Sequence, residues 1–162
     1  MSRINALFDV VKRVRSIANE FERGSARSRS RPTERTTPVD RGTRVEYSPE
    51  LDGDPDPGEV VWTWVPYEDD PSRGKDRPVV IIGRTGDDLA GVQLTSRKKR
   101  HRSLVPVGTG AWDSKRRPSY AKVDRLLRID PDEVRREGAI LDRNRFDDVV
   151  GNLAKYFDLA GR

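Results

Sequence analysis

Cysteine is absent from the 162 residues, so neither a disulfide nor a thiolate metal site is open to this chain. Long apolar runs are absent too. None approaches the ~20 residues that a membrane-spanning helix needs, and no signal-peptide core stands at the N-terminus. A soluble, cytoplasmic protein without a membrane partner is therefore expected. Only 33% of residues are hydrophobic, so any core must be compact, and the length suits one domain of ordinary size plus an appendage.

Charge, in contrast, is plentiful at 36% of residues, and the net value of +5 is unevenly distributed. Residues 1 to 49 carry 11 Lys/Arg against 6 Asp/Glu, and residues 50 to 162 carry 21 of each. The later part is neutral as a whole. Attraction to nucleic acid there must come from local clustering, while the N-terminal arm adds a nonspecific, salt-sensitive pull.

Three regions follow from patterning. In residues 1 to 23, Ile4, Leu7, Val11, Val14, Ala18 and Phe21 recur at spacings of three and four, the signature of an amphipathic helix. Such a helix could dock on its own domain, pair with another helix, or rest on a membrane surface. Residues 24 to 56 are expected to be a largely disordered linker. Its first part, GSARSRSRPTERTTPV, is small, polar and proline-containing, and its end, PELDGDPDP, is acidic and proline-rich. The Arg27, Arg29 and Arg31 alternation reads as a solvated tether or as a contact to RNA backbone.

Residues 57 to 162 hold the folded domain. Val60 to Val65 and Pro78 to Ile82 are rich in Val, Ile and Trp and too short for helices, so they read as strands. The loop YEDDPSRGKD between them contains Pro71 and Gly74, and it delivers the chain to Arg77. A third strand, Ala90 to Leu94, ends on Thr95 and Ser96. In a meander these points lie at one end of the sheet, so Arg77 and Thr95 need not be far apart, an arginine and a hydroxyl beside a loop carrying Arg73 and Lys75. That combination points to a phosphate site.

The run Arg97, Lys98, Lys99, Arg100, His101, Arg102 follows directly, as a solvated edge or a track for phosphates. Leu104, Val105 and Val107 give another short strand, and Trp112, in a glycine-flanked loop, is the candidate exposed aromatic for stacking on a base. Trp62 and Trp64 share one side of their strand, as core or as a second stacking platform. Lys115, Arg116 and Arg117 form a second basic run. Tyr120 to Ile129 reads as a further strand, and DPDEVRRE as a helix capped by Asp130. A final helix, capped by Asp142 or Asn144, sets Phe146, Val149, Val150, Leu153 and Phe157 on one face, with Gly151 as a weak point. The sum is an α+β domain of about five antiparallel strands followed by helices, centred on a small barrel.

The order Gly-acidic-Val-Val-Trp strand, loop, Arg-Pro with a Val/Ile strand, and a strand closing on Thr-Ser resembles the PemK/MazF family of toxins. The segment SYAKVDRLLRID is similar to that family's C-terminal half, and the resemblance spans roughly residues 57 to 158. It implies an SH3-like barrel with a C-terminal helix, a homodimer, a cognate antitoxin, and a metal-independent endoribonuclease that needs no cofactor and cuts single-stranded RNA. The Arg of the Arg-Pro pair and the Thr ending the third strand, Arg77 and Thr95 here, would be catalytic. Ser96 is a second hydroxyl at the same strand end.

The chemistry such an enzyme performs sets three demands. The substrate's own 2′-hydroxyl attacks the adjacent phosphorus, so the protein must accept a proton, stabilise charge on the phosphoryl oxygens, and assist the leaving 5′-oxygen. Arg77 suits the second role, because a guanidinium offers paired donors and stays charged. Thr95 or Ser96 can donate a hydrogen bond to the same phosphate. Where many family members carry Gly-Ser-Glu-Gln in the first loop, this chain has Asp70, Pro71, Ser72 and Arg73. The proton acceptor is left open among Asp70, Asp76 and His101. Two rivals remain: a noncatalytic nucleic-acid- or protein-binding barrel of the same fold, and a topoisomerase-inhibiting toxin.

Overall fold

The computed structural model describes residues 42–98, 100 and 102–161, and of residues 136–138 the backbone alone. The expected N-terminal helix, the linker up to residue 41, Lys99 and His101 lie outside the described residues. The elements run β1 (Thr43–Val45), β2 (Glu59–Pro66), β3 (Gly74–Thr85), β4 (Asp88–Thr95), β5 (Leu104–Gly108), β6 (Ser119–Lys122), β7 (Leu127–Ile129), a 3₁₀ turn (Pro131–Glu133), β8 (Arg136–Ile140) and α1 (Arg143–Leu153). They form one curled antiparallel sheet, a half-barrel, in the order β5-β6-β4-β3-β2-β8, with β1 paired to β3 and β7 to β4.

The three central strands are apolar on both faces, and the fold uses both. Val60, Val80, Ile82, Val92 and Leu94 enter the main core with α1 and Trp112. Their neighbours Val61, Val65, Val79, Ile81 and Leu89 face the other way, against Leu127 and Ile129 of β7. Helix α1 covers the main core with Phe146, Val149, Val150 and Leu153, at the spacing one helix face requires. Asp142 is its N-cap, accepting from the Arg145 amide at 3.1 Å.

Three expectations need correction. Residues 43 to 56, expected within the linker, belong to the folded domain. Thr43 pairs with Thr85, and the Tyr47 ring meets Phe146 edge-on at 4.9 Å while its hydroxyl donates to Leu141 O at 2.8 Å. Backbone contact makes this possible: a Cβ on Gly83 would lie 1.9 Å from Arg44 O, so only glycine admits β1 there. Buried Glu59 then holds the acidic lead-in, its carboxylate accepting the Glu50 amide at 3.0 Å and the Asp56 amide at 3.3 Å.

The expected strand over residues 120 to 129 is two strands. Leu94 pairs with Ala121 and Gly91 with Leu127, so a span of three residues on β4 faces a span of six. The surplus bulges out, which lets Val123 and Leu126 both reach the main core. The helix expected at DPDEVRRE stops after one 3₁₀ turn, although Asp130 does cap it. The chain then becomes β8, because the outer edge of β2 has unpaired backbone and the Arg135 amide donates to Trp62 O at 2.9 Å. Sheet pairing overrides a local helix preference here.

Candidate functional site

Alternation along the strands decides which side chains share a face. In β3, Arg77 lies opposite Thr63 and on the side of Val79. In β4, Gln93 lies opposite Val79. Continuing that register by two residues sets Arg77 across from Thr95. Thr95 in turn pairs with Tyr120 of β6, and continuing that ladder to two residues beyond this pair sets Lys122 across from Gln93. A row Thr63, Arg77, Thr95, Tyr120 therefore crosses the sheet on one face, with Gln93 and Lys122 beside it. Lys75 shares the face, since it sits two residues before Arg77.

Local hydrogen bonds fix several of these groups. The Thr95 hydroxyl oxygen accepts the Arg97 amide at 3.1 Å, which orients it and leaves its proton free to be donated. Thr63 Oγ1 donates to Glu133 O at 3.3 Å. Buried Arg125 reaches Gln93 Oε1 at 3.3 Å and Pro66 O at 2.8 Å, tying the β6–β7 bulge to the far end of β2. Glu68, on the β2–β3 loop, is ion-paired and hydrogen-bonded with Lys122 Nζ. Burial pushes the Glu68 carboxyl up, but the Lys122 hydrogen bond and charge, with Arg125, outweigh this and hold its pKa below the ordinary value. Between the end of β2 and β7 a shallow groove runs past Thr63 and Glu133.

The candidates read from sequence divide accordingly. Arg77, Thr95 and Lys75 share one face at one end of the sheet. Ser96 lies past the end of β4, exposed in a bend. Asp76 points away from Arg77, on the side of Trp64, and is bound to Arg135 at 3.0 Å. Asp70 is occupied by the Ser72 amide and hydroxyl at 3.1 and 2.6 Å. Arg73 is exposed, its guanidinium carbon 5.9 Å from the Tyr67 ring centre. Arg97, Lys98, Arg100 and Arg102 are exposed on the connection from β4 to β5, which lies on the far side of β6.

Trp112 is corrected outright. It is 3% exposed and belongs to the main core, so it cannot stack on a base as it stands. Its indole donates to Ser119 Oγ at 3.1 Å, and its carbonyl accepts from Trp62 Nε1 at 3.0 Å. Glycine flanks suggest exposure, whereas Gly110 is what allows the ring to fold back. A Cβ there would sit 2.1 Å from the indole. Tyr120, Lys122, Glu68, Gln93 and Arg125 were not anticipated. The alternation in Ser-Tyr-Ala-Lys, buried residues interleaved with half-buried ones, marks Tyr120 and Lys122 as a pair on one face, but only register shows which face.

Residues 56–157 match the family described as the PemK-like, MazF-like toxin of type II toxin-antitoxin systems. Among solved structures, MazF from Deinococcus radiodurans is similar at 18% identity and a TM-score of 0.52, covering 63% of this chain and 94% of its own. An endoribonuclease from a mycobacterial species, solved in complex with its cognate antitoxin, is similar at 17% identity and a TM-score of 0.50, covering 63% of this chain and 93% of its own. No functionally curated protein matches the sequence. These structural likenesses support the half-barrel fold, and the match over residues 56–157 carries the assignment: this chain belongs to the PemK-like, MazF-like family of toxins of type II toxin-antitoxin systems.

Proposed function

We propose that the chain is a metal-independent endoribonuclease for single-stranded RNA, working on the face that carries Arg77, Thr95 and Tyr120. The observation that carries this reading is the register: continued from the Val79–Gln93 pair, it sets a cation, Arg77, across from an oriented hydroxyl, Thr95, on neighbouring strands. A phosphodiester laid across the row would take two guanidinium hydrogen bonds from Arg77 and one from Thr95. Both strengthen as the pentacoordinate phosphorus gains charge, so they lower the barrier rather than only bind the ground state.

The proton acceptor for the 2′-hydroxyl is Glu68. Asp76 is turned away and Asp70 is capped, whereas Glu68 comes over to Lys122, which lies beside that row on the same face. Its lowered pKa keeps it ionised at working pH. Lys122, its ion-pair partner, is the candidate donor for the leaving 5′-oxygen. In this scheme the proton leaves the 2′-oxygen as the 2′-O–P bond forms, another is delivered as the P–O5′ bond breaks, and the products are a 2′,3′-cyclic phosphate and a free 5′-hydroxyl. The mycobacterial relative was solved with its antitoxin. An acidic antitoxin segment that covers this same cationic face is the corresponding partner proposed here.

Arg77 is half-buried and outside both apolar clusters. Arg77→Ala should leave the fold intact by circular dichroism and reduce cleavage of single-stranded RNA by at least ~10²-fold, the usual loss for one transition-state donor. A variant that still cuts at the wild-type rate would overturn the assignment.

A further inference from the structure

The second basic run, Lys115 to Arg117, plays no part in the scheme above, yet the fold brings it to the same end of the sheet. The loop from β5 to β6, residues 109 to 118, is pinned at two places. Trp112 O accepts from Trp62 of β2, at the level where Trp62 pairs with Pro78. Trp112 Nε1 donates to Ser119, the residue before Tyr120. In the sheet, β3 and β4 lie between β2 and β6. The loop therefore crosses β3 and β4 on the main-core side, the face opposite Arg77 and Thr95, and its exposed tip leads into Ser119 at the sheet end where those two residues lie.

Its tip is built to present cations. Buried Asp113 accepts Arg117 Nε at 2.8 Å and the Lys115 amide at 2.9 Å, which fixes the turn while leaving Lys115, Arg116 and the rest of the Arg117 guanidinium in solvent. Those two hydrogen bonds hold the Asp113 carboxyl below the usual carboxylate range, so the clasp persists in mild acid. Arg116 has φ +50°, the only positive φ outside glycine among the described residues. Glycine or asparagine would suit that backbone better. A strained arginine at the exposed tip of a pinned loop is spent on its side chain, not on folding.

We infer that Lys115 and Arg116 form a second RNA-backbone contact, separate from the Arg97–Arg102 run, that grips nucleotides flanking the cut and so extends the bound stretch of single strand. This rests on the ribonuclease reading above. A guanidinium and an ammonium without base-reading partners suit phosphates rather than sequence, so the contact adds affinity and length preference.

The test uses the full chain and RNA carrying a 2′-deoxy block at the cut site, so that binding is read without cleavage. The variant is Lys115→Ala with Arg116→Gly, in which glycine relieves the backbone while removing the charge. Wild type should bind an RNA of about 20 nucleotides with a steeper salt dependence than the variant, the slope of log K against log salt differing by about 1.4 for two phosphates. The deficit should shrink for an RNA of about four nucleotides, the thermal midpoint should not fall, and Arg116→Lys should keep the wild-type slope. Equal affinity and slope for variant and wild type on the long RNA would overturn the inference while leaving the Arg77 site standing. If wild type binds and cuts no RNA, the ribonuclease reading fails and this contact fails with it.

Discussion

At the level of single residues, the account turns on groups that a linear reading separates. The placement of Arg77 and Thr95 at one end of the sheet was legible, because one opens and the other closes an apolar strand. Glu68 and Lys122 were not, since they are 54 residues apart and their ion pair exists only once the β2–β3 loop folds toward β6. Asp76 looked equally suitable by its place beside Arg77, but strand alternation turns neighbours to opposite faces. The pairing makes a pH prediction. A carboxyl held below its ordinary value of 4.5 remains charged in mildly acidic solution. If its carboxylate takes the 2′-proton, the acid limb of cleavage should lie below that value, and kcat/KM should stay level as pH falls toward it. Glu68→Gln should abolish the limb and lower the rate at neutral pH by roughly 10²- to 10⁴-fold. A Gln variant with the wild-type rate and profile would assign the proton to another group.

At the level of elements, hydrophobic pattern sufficed where a strand is buried on both faces. Val60 to Val65 and Pro78 to Ile82 fall inside β2 and β3, which extend further only because their pairing partners do. It failed where pairing rather than side chains makes the element. Neither Thr43–Val45 nor Arg136–Ile140 has a strand-like apolar alternation, and both form by hydrogen-bonding to an edge left open by longer strands. The wide bulge between β6 and β7 was hidden for the opposite reason, since its residues look strand-like but must feed two core positions. Helix α1 was legible at its start and along its apolar face, with Asp142 the one of the two expected caps that is used, but it ends at Leu153, short of Phe157. Gly151 lies within it, is exposed, and a Cβ added there meets nothing within 4 Å. Gly151→Ala should therefore stabilise the domain by about 1 kcal/mol, measured as a higher urea midpoint at constant m-value. A lower midpoint would mean that the helix bends at this point in solution.

At the level of the molecule, charge is sorted along the sheet. Asp52, Asp54 and Asp56 gather beside Arg84, which binds Asp56 at 3.1 Å. The described basic residues of the Arg97–Arg102 and Lys115–Arg117 runs lie toward the Arg77 end, seven residues away along β3, or roughly 20 Å at strand rise. A domain whose charges cancel overall thus presents one cationic end, which steers a polyanion to the proposed site and leaves the acidic end averse to it. A purely binding barrel would share this polarity, so polarity does not identify an enzyme; bond cleavage does. The deciding measurement is to incubate the purified chain, in EDTA, with a long single-stranded RNA and with the same RNA carrying 2′-deoxyribose at each cut site. The account predicts discrete fragments ending in 2′,3′-cyclic phosphate and 5′-hydroxyl from the first, and no cleavage at the substituted positions in the second. Folded protein that binds the RNA without cutting it, or cuts at a 2′-deoxy position, would contradict the proposal.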